Sequence, residues 1–132
     1  MYLLDTSVLV DYLRRYAPAV AYLDSLLSKA QDERSGGAAV SFATALELYA
    51  GVRTKRDQQI ASSLLAHFSV RAADNAIASK SIAIMQEYLH ATGLDIPDCI
   101  IAATAIVKGY TLLTRNVKHF QPIDRVKAET PY

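Results

Sequence analysis

The feature that most constrains the fold is a regular alternation of short apolar segments with longer segments of helical periodicity. Four apolar segments predict β-strands: "YLL" at 2–4, "AAVSF" at 38–42, "FSVRAA" at 68–73 and "YTLLT" at 110–114. Between them, apolar residues recur every three or four positions, which predicts helices. Strands that alternate with helices pair in parallel and are covered on both faces. We therefore expect an α/β fold, a three-layer α/β/α sandwich with a central parallel sheet.

Capping residues, prolines and glycines give approximate helix bounds. Helices are expected to begin near Thr6 or Ser7, Pro18, Ser41 or Thr44, after position 58, at Asp74 and near Pro97. Their ends are expected near Tyr16, Gly51, His67, Ala91 and Gly109. A polar connection is expected at 31–37 and a charged turn at "RTKRDQ" (53–58). After position 114 we expect mostly loop, with one short strand near Ile123.

Size and composition narrow the class of protein. The 132 residues, 52% of them apolar and 20% charged, suit one globular domain, which we expect to span 1–132. The net charge of +1 gives no argument for a nucleic-acid partner. Cys99 is the only cysteine, so no internal disulfide can form. No secretory signal or membrane-length apolar stretch is visible, so we expect a cytoplasmic location and no membrane association.

Three carboxylates stand in apolar surroundings, where an unpaired charge is costly. Asp5 follows "YLL", Glu47 lies within "ATALELYAG", and Asp98 precedes "CIIAATAIV". Ligands of open parallel sheets bind beyond the carboxyl ends of the strands, where these acids are expected to converge. Carboxylates that converge repel one another unless a cation neutralises them, and oxygen ligands suit Mg²⁺ or Mn²⁺. The isolated histidines and single cysteine do not support a zinc site.

Each acid also has a purely structural explanation. Asp5 could cap the first helix, and Glu47 could be a partly exposed helical residue. Asp98 could interact with the dipole of the helix that it begins. It is the expected convergence of all three acids that favours a metal site.

The segment "TRNVKHF" (114–120) follows the fourth predicted strand at the same edge. The Asn116 amide could ligate a hard cation, hold a water, or belong to an ordinary turn. Arg115 and Lys118 flank it and could contact the phosphates of an RNA backbone, or could be solvated surface charges.

These segments resemble the motifs of a known family. "LLDTSVLVDYL", "ALELYAG", "DCIIAATAI" and "LLTRNVKHF" are similar, in order and spacing, to the four motif blocks of the PIN-domain ribonucleases. Within that family the chain most resembles the VapC-type toxins of bacterial toxin–antitoxin pairs, over nearly its whole length. The resemblance implies a PIN-like α/β/α fold and Mg²⁺- or Mn²⁺-dependent endonucleolytic cleavage of RNA. It also implies a homodimer and a cognate antitoxin protein that covers and inhibits the active site.

The resemblance also implies roles for individual residues. Asp5, Glu47 and Asp98 fall on the family's acidic positions. Asn116 falls where many members carry a fourth acid. Asp5 and Asp98 are then expected to ligate the principal metal ion, and Asn116 to complete its shell. Glu47 would help hold the ion or orient the attacking water.

The positions around these acids complete the expectation. Thr6 and Ser7 match hydroxyl positions that orient a carboxylate or a water, and one of them is expected to cap the first helix so that Asp5 is free. His119 stands where an Asp often occurs, which leaves the number of metal ions open. Asp11 is expected to be an ordinary surface residue.

Other classes of function fit less well. A catalytically inert PIN-like module that binds RNA or protein is the main alternative, and the three acids argue against it. A haloacid-dehalogenase-type phosphatase needs a second Asp two residues after the first, where this chain has Ser7. A receiver domain would place its Asp at the end of a central strand, whereas Asp5 ends the first predicted strand. No nucleotide-binding glycine motif and no GxSxG nucleophile motif occurs.

Overall fold

The computed structural model describes residues 1–29, 37–90 and 93–132. In these three ranges, five strands form one sheet: β1 (Tyr2–Leu4), β2 (Ala38–Ser41), β3 (Ser69–Arg71), β4 (Thr111–Leu113) and β5 (Ala128–Glu129). The strand order is β3-β2-β1-β4-β5, and every neighbouring pair is parallel. The predicted α/β class with a parallel sheet is confirmed.

Within the described residues, seven helices accompany the sheet: α1 (Thr6–Leu13), α2 (Ala17–Lys29), α3 (Phe42–Ala50), α4 (Lys55–Leu65), α5 (Asn75–Tyr88), α6 (Ile96–Lys108) and α7 (Val117–Phe120). Successive strand residues point to opposite faces of the sheet. Leu3 and Leu112 accordingly pack with α5 and α6, whereas Leu4 and Leu113 pack with α1, α2 and α4. Both faces are therefore buried around the inner strands β1, β2 and β4, which explains why these are mainly apolar rather than alternating. The outer strands β3 and β5 are more polar and more exposed.

The order of the strands locates the site. From the central β1 the chain adds β2 and β3 on one side, then crosses to add β4 and β5 on the other. The reversal lies between β1 and β4, and the carboxyl ends of such strands form the crevice where open α/β sheets bind ligands. The Asp5 N–H donates to the Leu113 carbonyl at 2.9 Å, so the segments after β1 and β4 are joined at that crevice.

Most predicted helix starts are confirmed. Ser41 caps α3 by accepting from the Ala43 N–H, and Asp74 caps α5 by accepting from the Ile77 N–H. Gly109 ends α6 in the left-handed conformation, with φ 69°. Such a φ is readily adopted by glycine.

Several predicted bounds are wrong. The first helix ends at Leu13 rather than near Tyr16, because the chain turns at Arg15, whose φ is 61°. The predicted charged turn at 53–58 is mostly helix: Thr54 accepts from the Asp57 N–H and caps α4, which begins at Lys55. Helix α4 has few apolar residues in its first two turns. The charged residues there therefore suggested a turn rather than a helix.

The end of the chain also differs from the prediction. Ile123 is buried in the core outside any strand, while the short strand lies at 128–129 and a short helix at 117–120. The expected connection at 31–37 lies outside the described residues except for Gly37, and the expected helix end at Ala91 lies outside them as well.

Candidate active site

Asp5 is a buried acid at the carboxyl end of the central strand. Asp5 is 3% exposed. It occupies the N-cap position of α1, but its side chain accepts no hydrogen bond from the N–H groups of the first turn. Its carboxylate is held by hydroxyls: Ser7 Oγ and Thr114 Oγ1 each donate to Oδ2 at 2.7 Å. Of the described residues, none donates to Oδ1. One oxygen of a nearly buried carboxylate is thus fixed in place, and the other is left for a ligand.

Both hydroxyls are themselves oriented by the backbone after β4. The Arg115 N–H donates to Ser7 Oγ at 3.1 Å, and the Asn116 N–H donates to Thr114 Oγ1 at 2.9 Å. Each hydroxyl accepts a hydrogen bond from a backbone N–H and donates one to the Asp5 carboxylate. Hydrogen bonds that are linked in such chains strengthen one another. We call these two chains of hydrogen bonds, from the Arg115 N–H through Ser7 to Asp5 and from the Asn116 N–H through Thr114 to Asp5, the relays. Together they fix the orientation of the Asp5 side chain.

Glu47 reaches the same edge from α3. It lies in the second turn of that helix. Thr6 Oγ1 donates to Glu47 Oε1 at 2.7 Å and lies 3.1 Å from Thr44 Oγ1. Thr6 therefore orients this carboxylate.

Asp98 lies in the first turn of α6 and forms a reciprocal cap with Asp95. The Asp98 N–H donates to Asp95 Oδ1 at 2.9 Å, and the Asp95 N–H donates to Asp98 Oδ2 at 3.4 Å. The structural explanation therefore applies to Asp98, because one of its carboxylate oxygens stabilises the helix start. Its expected role as a metal ligand stays a prediction.

The acids influence one another electrostatically. Burial, followed by the negative charge of Asp95 and a smaller contribution from Asp5, raises the pKa of Asp98 to about 7. Burial likewise raises the pKa of Glu47, with Asp95 and Asp5 adding to the shift and the Thr6 hydroxyl opposing it. Perturbed carboxyls of this kind cluster at functional sites.

The carboxylates do not yet form a closed cage for a cation. Among the described residues, no three His, Cys, Asp or Glu side chains lie close enough to hold one metal ion as they stand. The donor set nevertheless fits a hard divalent cation, because the site offers carboxylate oxygens and no sulfur or imidazole ligand pattern. Binding of one ion by three of these side chains would therefore require them to rotate toward it.

Asn116, after β4, contributes to the site through its backbone. Asn116 is exposed, its N–H completes one of the two relays, and its side chain does not cap α7. Lys118 is exposed on α7. The side-chain roles expected for Asn116 in the metal shell and for Lys118 on RNA stay predictions.

Two sequence expectations near Asp5 need correction. Thr6 and Ser7 do not cap α1: both lie in its first turn and direct their hydroxyls to Glu47 and Asp5. Asp11 is not simply a solvated surface acid, because its Oδ2 accepts from Arg115 Nη1 at 3.3 Å and from the Tyr132 hydroxyl at 3.1 Å. Asp5 is free of capping, as expected.

Sequence reasoning missed two residues of the site. Thr114 is fully buried and donates to Asp5, but its position at the end of an apolar segment made it part of a strand. Asp95 contributes to the pKa of both Asp98 and Glu47. The spacing of Asp95 and Asp98, an acid followed by another three residues later before an apolar run, is a capping signature that could have identified it.

With this geometry in place, comparison with known proteins identifies the class. A model of the PIN domain matches residues 2–126, and the chain belongs to that family. The resemblance seen in the sequence motifs is confirmed.

The similar proteins within the family are VapC ribonucleases. The chain is 35% identical to Ribonuclease VapC10 of Mycobacterium tuberculosis over 128 residues, which cover 96% of this chain and 91% of that protein. It is 33% identical to Ribonuclease VapC1 of Methanocaldococcus jannaschii over 121 residues, 90% of this chain and 78% of that protein.

Solved structures agree at the level of the fold. A toxin–antitoxin complex from Klebsiella pneumoniae contains a chain that is 30% identical, with a TM-score of 0.75 and coverage of 100% of this chain and 98% of the other. VapBC2 from Rickettsia felis, bound to a promoter DNA fragment, gives a TM-score of 0.82 at 21% identity, with coverage of 98% and 97%. Among the helices of the described residues, none is long and apolar enough to cross a membrane.

Proposed function

We propose that this protein is an endoribonuclease toxin of a toxin–antitoxin pair, dependent on Mg²⁺ or Mn²⁺ and inhibited by a cognate antitoxin. The observation that carries the proposal is the buried Asp5 at the strand-order reversal, with Oδ2 fixed by two hydroxyls and Oδ1 left available. The negative charge of Asp5 contributes to the raised pKa values of Glu47 and Asp98. The VapC ribonucleases among its relatives support the choice of RNA as substrate.

A divalent cation would be held by Asp5 and Asp98, with Glu47 and the Asn116 amide nearby. When bound, it supplies Lewis acidity to the scissile phosphate and to the attacking water. Oδ1 of Asp5 is available to a cation because both hydroxyl donors occupy the other oxygen. A second ion would need further negative charge from side chains at the site. His119 stands where an acid often occurs, so we propose that one ion takes part.

The chain's own groups account for the remaining chemistry. Thr6 fixes Glu47 by one oxygen, so Oε2 can accept a proton from an attacking water. Partial burial raises the pKa of Glu47 and so makes it a better base than an ordinary surface carboxylate. Lys118, exposed beside the site, can offset the charge of a neighbouring phosphate.

The proposal extends to partners. A toxin chain of this fold occurs in the Klebsiella pneumoniae toxin–antitoxin complex, which supports an antitoxin for this chain. An antitoxin that presents a basic side chain would complement the acids electrostatically. A homodimer is supported by large apolar side chains that stay exposed on the single chain, such as Ile82 and Leu89. The proposed place of action is the cytoplasm.

The direct test is cleavage of a structured RNA by the purified chain with Mg²⁺, with Mn²⁺ and with EDTA. Asp5→Asn and Asp98→Asn should each lower the rate about 100-fold or more, since each removes a charged ligand. Glu87→Gln removes an equal charge from an exposed position on α5 and is the matched control. Full activity of either site variant, with folding verified by circular dichroism, contradicts the assignment.

The same experiment separates the alternative. A catalytically inert PIN-like module would bind RNA or a protein partner without cleaving RNA under any metal condition. Cleavage that requires the metal and is lost in the Asp5 variant excludes that alternative.

A further inference from the structure

Arg115 binds helix α1 at two points. Its N–H donates to Ser7 Oγ at 3.1 Å, and its Nη1 pairs with Asp11 Oδ2 at 3.3 Å. Ser7 and Asp11 are four residues apart, so they lie on one face of α1, one turn from each other. Arg115 therefore spans a full turn of the helix whose first turn holds the hydroxyl donor to Asp5.

The guanidinium also lies near two aromatic rings while it stays partly exposed. It lies 4.9 Å from the ring centroid of Tyr132 and 5.2 Å from that of Tyr16. The Tyr132 hydroxyl donates to the same Asp11 oxygen, Oδ2, at 3.1 Å. A partly exposed ion pair alone contributes little, but a shared acceptor and two aromatic faces give the planar guanidinium one preferred position.

The consequence reaches Asp5 through the backbone. Ser7 accepts from the Arg115 N–H, and Thr114 accepts from the N–H of the next residue, Asn116. Both hydroxyls donate to Asp5 Oδ2. A shift of Arg115 would therefore disturb both hydrogen bonds that orient this carboxylate.

We propose that Arg115, held by Asp11 and Tyr132, is a positioning residue that fixes the orientation of Asp5, and is not a contact to the RNA backbone. This inference rests on the proposed function, because it assigns Arg115 a role at the same site. We call Arg115, Asp11 and Tyr132 the clamp.

Binding of Mn²⁺ to the RNA-free protein distinguishes position from charge. If Arg115 acted only through its charge, Arg115→Ala would tighten Mn²⁺ binding and Asp11→Asn would weaken it. If the clamp positions Asp5, both variants weaken binding, by about tenfold as for other groups that orient a metal ligand. Arg115→Lys keeps the charge but loses the planar stacking, so it should fall between wild type and Arg115→Ala.

Amide hydrogen exchange tests the clamp without metal or RNA. In Asp11→Asn and Tyr132→Phe, the amides of Arg115 and Asn116 should exchange about tenfold faster than in wild type. The reason is that the loop between β4 and α7, residues 114–116, would open more often. Glu87→Gln, which removes the same charge as Asp11→Asn, should leave both amides unchanged.

Kinetics provide a third readout. The clamp variants should lower kcat with little change in KM, whereas loss of a phosphate contact would raise KM and reduce its salt dependence. Lys118→Ala is the comparison, since an RNA contact at Lys118 predicts a higher KM with normal exchange.

Three results would overturn the proposal: unchanged exchange in Asp11→Asn and Tyr132→Phe, tighter Mn²⁺ binding by Arg115→Ala, or faster exchange with unaltered Mn²⁺ affinity. If wild type neither binds Mn²⁺ nor cleaves RNA, the proposed function fails, and exchange alone still decides whether the clamp holds the loop.

Discussion

Replacing Asp98 by Asn should stabilise the metal-free protein at alkaline pH. Burial and the charges of Asp95 and Asp5 raise the pKa of Asp98 from 3.8 to about 7. A carboxyl whose pKa is raised in the folded state binds its proton more tightly there than in the unfolded state. Wild-type stability should therefore fall as the pH rises from about 4 through about 7, and the Asp98→Asn variant, which is neutral at this position, should lack this loss.

The expected change in the free energy of unfolding follows from how far the pKa of Asp98 is raised. Raising the pKa of Asp98 from 3.8 to about 7 would destabilise the folded protein above pH 7 by at most about 4 kcal/mol, at 1.36 kcal/mol for each pH unit. Asp98 is partly exposed, so solvent screening reduces this, and the variant also loses a favourable charge at the start of α6. We expect the net gain in the free energy of unfolding to be about 1–2 kcal/mol at pH 8, and close to zero at pH 4.

The assay is urea unfolding in EDTA at several pH values between 4 and 8, followed by circular dichroism. Glu87→Gln is the control, since it removes an exposed acid remote from the site. The reasoning is refuted if Asp98→Asn is no more stable than wild type at pH 8, or if its gain does not depend on pH. Added Mn²⁺ should reverse the order by stabilising wild type selectively.

Three further predictions concern the site and its supports. Thr114→Val removes a donor to Asp5 and the acceptor of the Asn116 N–H, so it should lower stability by about 1–2 kcal/mol and reduce RNA cleavage, as urea titration and rate assays would show; unchanged cleavage would contradict the relay. Mn²⁺ affinity measured by calorimetry should rise with pH up to about 7, because Asp98 must lose its proton to act as a ligand, and a flat profile would exclude Asp98. Gly109→Ala should cost about 1 kcal/mol in thermal unfolding, because its φ of 69° is strained for other residues, and should leave Mn²⁺ affinity unchanged.

Local patterns in the sequence were sufficient for much of the fold. Apolar strand segments that alternate with helical segments imply a parallel sheet between two helical layers. Capping side chains act on neighbours within three residues, so the starts at Ser41 and Asp74 were predictable. Where local signals conflict with tertiary packing they failed, as at Ile123, whose burial in the core does not require a strand.

The sequence by itself determined the chemical character of the site: acids in apolar surroundings, expected beyond parallel strands, with hydroxyls beside the first. The tertiary structure alone decided how those groups are connected. Ser7 and Arg115, 108 residues apart, meet because β1 and β4 are neighbours, and Thr114 reaches Asp5 for the same reason. Hydrogen bonds between such distant residues depend on strand order and register, which no local pattern encodes. The assignment of Arg115 to a clamp instead of to solvent could therefore come only from the folded chain.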